Sequence, residues 1–312
     1  MIGAGPVGLE LAQAYRRLGA EVTVLEAKTP LAADDAECAE IVLDCLAEEG
    51  IAIRAGVEVV RVEPATATAV PATATAAPGE SIRVVMTGPG GEAVVEGSHV
   101  LVAAGRRPAL DDLGLDAAGI RRKDGRLVLD RELRTSNKRV YAVGDAAGGP
   151  QFTHVASHHA GLVIRNALFR LPVRADKGTI PWVTFTDPEL AQTGLTEAAA
   201  RLRHRRINVL RWPYHENDRA RAERETRGHI KVVTTPSGRI LGVTIVGAHA
   251  GELITTWTLA IDQKVNIRAM AGLVVPYPTL AEIGKRAAVS FFTPRLAATG
   301  VRRIMAWLRR LG

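Results

Sequence analysis

Three glycines near the start of the chain are spaced to hold phosphate. Gly3, Gly5 and Gly8 form G-x-G-x-x-G, and Glu26 stands eighteen residues beyond the last of them. Gly3 permits a tight turn, Gly5 lets the backbone come close to a pyrophosphate, and Gly8 lets a helix pack closely on a sheet. The phosphates then meet unpaired N–H groups at the positive end of that helix. A carboxylate at Glu26 accepts hydrogen bonds from adenosine ribose hydroxyls and repels a 2′-phosphate, so the pattern favours NAD over NADP. Lys28 softens that preference. The plainer alternative is that the glycines only shape an ordinary turn. Other reactive residue types are less well placed. Cys38 and Cys45 lie seven apart on one predicted helix, about 10.5 Å along its axis. A disulfide needs Cα atoms within ~7 Å, so both read as buried or half-buried helix residues. His154, His158 and His159 cluster without a carboxylate or thiol at ligand spacing. No metal is assigned, and they read as structural positions at the start of a helix.

The glycine turn and Glu26 need a strand–helix–strand frame, and the sequence supplies most of one. A helix is predicted over 7–18 with Gly19 as its stop, then a strand over 21–26 that ends acidic, then a helix over 35–49 that ends at Gly50. Short strands follow near 51–54, 58–62, 82–86 and 100–102. Only Met1 and Ile2 precede Gly3, whereas a central parallel strand runs to about five or six residues. The first strand is therefore expected to be cut nearly away, and the chain to be the later part of a longer protein. Residues 64–79 are rich in Ala, Thr and Pro and nearly uncharged, as expected of a disordered loop insertion with no chemistry. After Gly105-Arg106-Arg107-Pro108 the composition shifts, and a short segment ends in Val143-Gly144-Asp145. A helix over 157–169 follows, broken by Pro172. From Ile180 onward the pattern is α+β, with strands near 182–186, 209–212, 229–234 and 240–246. Helices are predicted near 197–203, 251–263, 267–272 and 279–292.

Composition fits this layout. The chain has 312 residues, enough for two domains at ~100–200 residues each. A 47% hydrophobic fraction with 23% charged residues excludes a disordered or fibrous protein. Two cysteines exclude a disulfide-rich secreted scaffold. No apolar run reaches the ~18 residues that span a bilayer, and no signal peptide opens the chain. The expectation is a cytoplasmic protein. The net charge of +7 comes almost wholly from Arg, with only seven Lys. Arg201, Arg203, Arg205 and Arg206, and again Arg302, Arg303, Arg309 and Arg310, alternate with apolar residues and read as solvated helix faces. No aromatic-interleaved basic surface accompanies them, so nucleic acid is not implied. The basic tail 301–311 is amphipathic; packing on its own domain is preferred over an acidic membrane surface.

Five motifs stand together in order. They are Gly3-Ala4-Gly5-Pro6-Val7-Gly8-Leu9-Glu10, Ala104-Gly105-Arg106-Arg107-Pro108, Val140-Tyr141-Ala142-Val143-Gly144-Asp145, Thr184-Phe185-Thr186-Asp187-Pro188-Glu189, and Pro278-Thr279-Leu280-Ala281-Glu282. Together they resemble the flavin-dependent pyridine nucleotide-disulfide oxidoreductases. Phe152-Thr153-His154-Val155-Ala156, Arg219-Ala220 and Gly247-Ala248-His249-Ala250-Gly251 point to the mercuric reductase-like and dihydrolipoamide dehydrogenase-like branch. The resemblance implies an α/β Rossmann-like NAD-binding domain over 1–107, a returning segment of a partial FAD-binding domain over 108–171, and an α+β dimerisation domain over 172–312. It implies FAD and NAD as cofactors. Gly3, Gly5, Pro6, Val7, Gly8, Glu26 and Gly105 would serve the nucleotide, and Gly144, Asp145, Phe152 and Thr153 the flavin. Asp145 matches an acidic residue that binds the flavin's ribityl chain, although Gly144-Asp145 alone would be a routine turn. A homodimer and a small-molecule electron acceptor are implied as partners, with hydride passing from NADH to FAD and on to a thiol, disulfide or metal.

The same resemblance marks departures. The family's other G-x-G-x-x-G and its C-x₄-C redox pair are not in this sequence, so the chain alone is expected to be inactive. Glu10 matches a Glu that pairs with a Lys outside this sequence. Family disulfide reductases place His before Pro-Thr with a Glu beyond it, whereas here Tyr277 precedes Pro278 and Glu282 keeps the second position. A Tyr with a pKa near ~10 is a poor base at neutral pH. Tyr277 then serves as a hydrogen-bond donor at the acceptor site or only as an interface packing residue. The C-terminal Cys pair of mercuric reductases has no counterpart in Trp307-Leu308-Arg309-Arg310-Leu311-Gly312. A non-catalytic nucleotide-binding or dimerisation remnant, or an NADH:acceptor reductase without a redox disulfide, is the alternative.

Overall fold

The computed structural model of the chain describes residues 1–64, 81–175, 179–296, 301, 305 and 307–309. The expected loop at 64–79 lies outside the described residues apart from Pro64, as does much of the basic tail. Two compact units divide the chain: Met1–Ala104 with Pro181–Gly312, and Gly105–Ile180.

The larger unit begins with the glycine turn and α1 (Pro6–Arg17), which starts on a Pro and buries Gly8, Leu9, Ala12 and Gln13 along one face. Gly19, in the left-handed region at φ +100°, closes it. β1 (Thr23–Glu26) follows. α2 (Ala36–Glu48) then crosses over to β2 (Ala52–Ala55), which pairs parallel with β1. On the other edge of β1, the Leu25 N–H donates to the Met1 carbonyl and the Gly3 N–H to the Leu25 carbonyl, each at 2.8 Å. Ile2 also bridges Val102, so Met1–Gly3 is paired on both sides. The strand expected at 100–102 is corrected to that single bridge, because its partner offers one residue of ladder. An antiparallel sheet of β3 (Glu58–Pro64), β4 (Ile82–Gly88) and β5 (Gly91–Gly97) completes this half. β5 went unpredicted: its side chains are almost all exposed and carry no strong alternation.

In the smaller unit, a short hairpin of β6 (Arg122–Lys123) and β7 (Arg126–Leu127) precedes a 3₁₀ turn at Gly144–Ala147 and α3 (Thr153–Phe169). α3 starts four residues earlier than expected, because extended Phe152 caps it and its carbonyl accepts from Val155 and Ala156 N–H.

The remaining residues of the larger unit form an antiparallel sheet in the order β10 (Asn208–Pro213), β11 (His229–Thr234), β12 (Ile240–Gly247), β9 (Glu189–Gly194), β8 (Trp182–Thr184). α4 (Glu197–Arg203), α5 (Asp218–Glu223), α6 (Ala250–Asp262), α7 (Ile267–Gly272), α8 (Glu282–Ser290) and α9 (Thr293–Leu296) accompany it. All eight β12 residues are buried. Val243 and Ile245 pack with Ile254, Trp257, Ile267 and Ile283 on one face. Val246 and Leu190 pack with Cys38, Val42 and Leu46 of α2 on the other. A strand covered on both faces reads as a continuous apolar run, and each fully buried aliphatic side chain contributes roughly 1.5–3 kcal/mol. α8 starts at Glu282 rather than at 279: Glu282 and Ile283 N–H donate to Thr279 and Leu280 carbonyls, so the entry is a tight turn, not α-helix.

Candidate functional site

The glycine turn has the geometry of a cradle. Gly3 sits at φ +102°, and a Cβ there would lie 2.6 Å from the Ala103 carbonyl oxygen. A Cβ on Gly8 would fall 2.0 Å from the Gly3 carbonyl oxygen, so only glycine lets α1 approach the turn. Gly5 is different: no atom lies within 4 Å of where its Cβ would be. The space in front of Gly5 is open to a ligand. Gly5 is also the N-cap of α1 and offers no side-chain cap, while Pro6 and Val7 form the first turn. Thr196 and Asn217 do cap α4 and α5. The N-terminal N–H groups of α1 thus face the open side uncapped, an arrangement that suits an anion. Beside them, Glu26 Oε2 accepts from Ala4 N at 2.8 Å and Oε1 from Lys28 N at 2.9 Å. These bonds fix the carboxylate at the end of β1. Open backbone, uncapped helix and fixed carboxylate together fit a dinucleotide.

On the same helix, Glu10 Oε1 accepts from the backbone N–H of Phe185 at 2.8 Å. Tyr277, 70% exposed, donates its phenol to Asp218 Oδ2 at 2.9 Å. That hydrogen bond, then the Asp218 charge itself, pushes the phenol above its ordinary value, with Glu282 adding to the effect. Tyr277 is therefore a standing donor and not a base. Asn217 Nδ2 donates to the Thr279 carbonyl at 3.0 Å, tying the Tyr277 loop to the start of α5.

In the smaller unit, Gly144 adopts φ +58°, and a Cβ there would lie 2.8 Å from the Ala156 Cβ. Glycine at this point lets the 3₁₀ turn carrying Asp145 sit against α3. The Gly144 N–H donates to Nδ1 of buried His159 at 3.2 Å, which leaves the ring proton to Nε2. Burial, then neighbouring His158, lowers the His159 pKa and keeps the ring neutral. His154 stacks on Phe152 at 5.2 Å, beside Thr153 at the first turn of α3. Arg106 lies 3.8 Å from Asp145 Oδ2, and the carboxylate stays 39% exposed. An exposed acceptor steadied by a cation suits a polyol chain such as the flavin's. Gly105 stands at φ +131° with open space around it.

Residues 1–160 match the pyridine nucleotide-disulphide oxidoreductase family, and residues 180–288 match that family's dimerisation domain. The chain belongs to this family. Members of the pyridine nucleotide-disulphide oxidoreductases bind FAD and NAD(P). A mercuric reductase of Lysinibacillus sphaericus is 35% identical over 294 residues, 93% of this chain and 52% of its own. A dihydrolipoyl dehydrogenase of Staphylococcus aureus is 32% identical over 291 residues, 92% of this chain and 59% of its own. LpdA from Mycobacterium tuberculosis superposes with a TM-score of 0.80 at 26% identity, covering 95% of this chain and 61% of that one. The flavoprotein disulfide reductase RclA from Escherichia coli gives 0.79 at 25% identity, covering 92% and 63%. The chain thus spans about half the length of the curated relatives it matches.

Against this family background the two cysteines are inert. Burial pushes the Cys38 thiol well up, and it rests 3.6 Å from His229 Nε2. Cys45 is likewise raised by burial, with Arg227 beside its sulfur. Sequence reasoning missed Asp218, the partner of Tyr277, and the buried cation Lys231. Lys231 Nζ lies 2.8 Å from each of Asp35, Glu37 and Glu197. Burial opposes its charge, but hydrogen bonds to the three carboxylates outweigh burial and hold the ammonium above its ordinary value. Arg211 adds two hydrogen bonds to Glu37 at 2.8 and 2.7 Å. The one available signal was a Lys inside an otherwise apolar strand pattern.

Proposed function

We propose that the chain is the NAD-binding and dimerisation portion of an FAD-dependent NADH oxidoreductase. On this reading residues 1–107 hold the nucleotide, 108–171 return to the flavin domain, and 172–312 pair with a second copy. The observation that carries it is the combination at Gly5: open backbone, an uncapped α1 N-terminus and the fixed Glu26 carboxylate. When bound, the nicotinamide supplies a hydride that the flavin accepts. The chain's own residues do the holding. N–H groups at the start of α1 bind the pyrophosphate, and Glu26 takes the ribose hydroxyls and disfavours a 2′-phosphate. Asp145 accepts from the ribityl hydroxyls, and Phe152 and Thr153 flank the ring. The acceptor site takes a thiol, disulfide or metal, and Tyr277 donates there on releasing its single phenolic proton from Asp218 Oδ2. Its phenol stays protonated at neutral pH, so proton removal from a thiol falls to another group. No helix among the described residues is long and apolar enough to cross a membrane.

The test is a fluorescence titration of the chain with NADH and NADPH. NADH is expected to bind at least about tenfold more tightly, a difference of ~1.4 kcal/mol. Gly5→Val, which puts a side chain where the pyrophosphate sits, should abolish binding while leaving the circular dichroism spectrum unchanged. Absence of binding by the unaltered chain, or equal binding of both nucleotides, would overturn the reading.

A further inference from the structure

The buried face of α3 holds the turn that carries Asp145. Val155, His159, Leu162 and Asn166 form that face at helical spacing, and two of the four are polar. Asn166 has its partners in side chains and loop: its Oδ1 accepts from Arg134 and Tyr141, and its Nδ2 donates to the Leu171 carbonyl. His159 takes the N–H of Gly144 instead, and both groups are buried. Gly144 opens the 3₁₀ turn, so no carbonyl within the turn receives its N–H. Burial keeps water from serving in its place. Gly144 also rests against Ala156, one turn earlier on α3, so closely that a Cβ would lie 2.8 Å from the Ala156 Cβ. Two points on one helix face thus fix the backbone at Gly144. The next residue is Asp145, whose carboxylate remains exposed.

We propose that His159 is a positioning residue for flavin binding: its Nδ1 lone pair holds Gly144 and thereby aims the Asp145 carboxylate at the ribityl chain. The proposal rests on Asp145 being the ribityl acceptor. Only a ring with no proton on Nδ1 accepts the Gly144 N–H. Protonation would oppose two donors in a buried space and release the turn. The surroundings keep the ring neutral. Burial acts first, and His158, beside it on α3 at 6.2 Å between ring centroids, opposes a second positive charge. The other titratable groups on elements packed here have partners of their own. Asp145 on the turn pairs with Arg106. Arg134, paired with Glu132, and Tyr141 are bound at Asn166, two turns along α3 from His159.

The test compares the full chain with two variants. His159→Asn places Oδ1 where the ring has Nδ1 and does not titrate, while His159→Leu keeps bulk without an acceptor. Two readouts are taken: hydrogen-exchange protection of the Gly144 amide, by nuclear magnetic resonance, and FAD affinity, by quenching of flavin fluorescence. At about pH 7.5 the original chain and His159→Asn are expected to protect the amide and to bind FAD within about threefold of each other. His159→Leu leaves the buried N–H without a partner, so it should lose the protection and bind FAD at least about tenfold more weakly. As pH falls to about 5, below the ordinary histidine value of ~6.5, the original chain should lose both protection and affinity, and His159→Asn should keep both. This pH comparison stands on the original chain and His159→Asn alone, whatever the stability of His159→Leu. An equal pH dependence in His159→Asn, or full FAD affinity in a folded His159→Leu, would overturn the proposal. The expected amide profile with FAD bound by none of the three chains would support the His159 contact and overturn the assignment of Asp145 to the flavin.

Discussion

On the proposed function the carboxylate at the end of β1 selects the nucleotide, and two backbone N–H groups fix where that carboxylate points. Because Ala4 and Lys28 fix both oxygens of Glu26, replacing Glu26 by Ser removes the ribose acceptor and the repulsion of a 2′-phosphate together, and leaves Lys28 alone at the site. NADH affinity is expected to fall about tenfold, or ~1.4 kcal/mol, while NADPH binding improves. Parallel titrations with the two nucleotides check this. Tyr277 gives a second expectation. Its phenol is raised chiefly by the hydrogen bond to Asp218, so Asp218→Ala should bring it down toward ~10, read from phenolate absorbance against pH with Tyr277→Phe as the subtraction control. The two residues differ in how openly the sequence declares them. Glu26 follows its glycines at a spacing fixed by one strand–helix–strand unit, so local spacing identifies it. Asp218 is fifty-nine residues from Tyr277, and only the fold brings them together.

At the level of elements, a buried charge cluster joins α2 to the dimerisation sheet. Asp35 stands immediately before α2 with its carboxylate turned to Lys231, Glu37 lies in the first turn of α2, and Glu197 begins α4, while Lys231 projects from β11 and Arg211 from β10. Lys231→Met leaves Asp35 buried beside carboxylates with no ammonium, and is expected to cost about 3–5 kcal/mol in chemical denaturation. Acid sensitivity follows from Glu37. Hydrogen bonding to Arg211, against the opposing effect of burial and with help from Lys231, lowers its carboxyl from 4.5 to about 2. A group depressed in the folded state contributes stability that is present above its unfolded value and lost as pH falls through the folded one. Stability should therefore drop between pH 4.5 and pH 2, and Glu37→Gln should flatten that part of a stability–pH curve. Little of this cluster was legible, because Asp35 and Lys231 are 196 residues apart and neither carries a local motif. Legibility followed the strength of local periodicity. α1, α2 and β12 have strong patterns and formed near their expected bounds. β5 exposes nearly all its side chains and gave none, and the segment 100–102 had the composition of a strand but one residue of partner.

For the molecule as a whole, the order of motifs along the chain was readable because each one serves a local turn or cap, whereas the surface that the proposed function assigns to a second copy has no motif. The candidate for it is a set of apolar side chains left outside the core. Val274 is 90% exposed, Leu259 61% and Leu273 44%, all in the part of the chain that matches a dimerisation domain. Single exposed apolar residues are ordinary, but several beside an apolar cleft are the mark of an interaction surface. Val274 and Leu273 line such a cleft together with Trp257, Met270 and Pro276. If this is the face that a second copy covers, a charge at its most exposed point must be desolvated on association without a partner, at a cost of several kcal/mol. Val274→Asp is then expected to shift sedimentation equilibrium from dimer to monomer by at least about 100-fold in Kd. Because Val274 contributes little to the monomer's core, circular dichroism and nucleotide binding by the altered chain should remain those of the original. A variant that stays dimeric would place the interface elsewhere on the dimerisation domain.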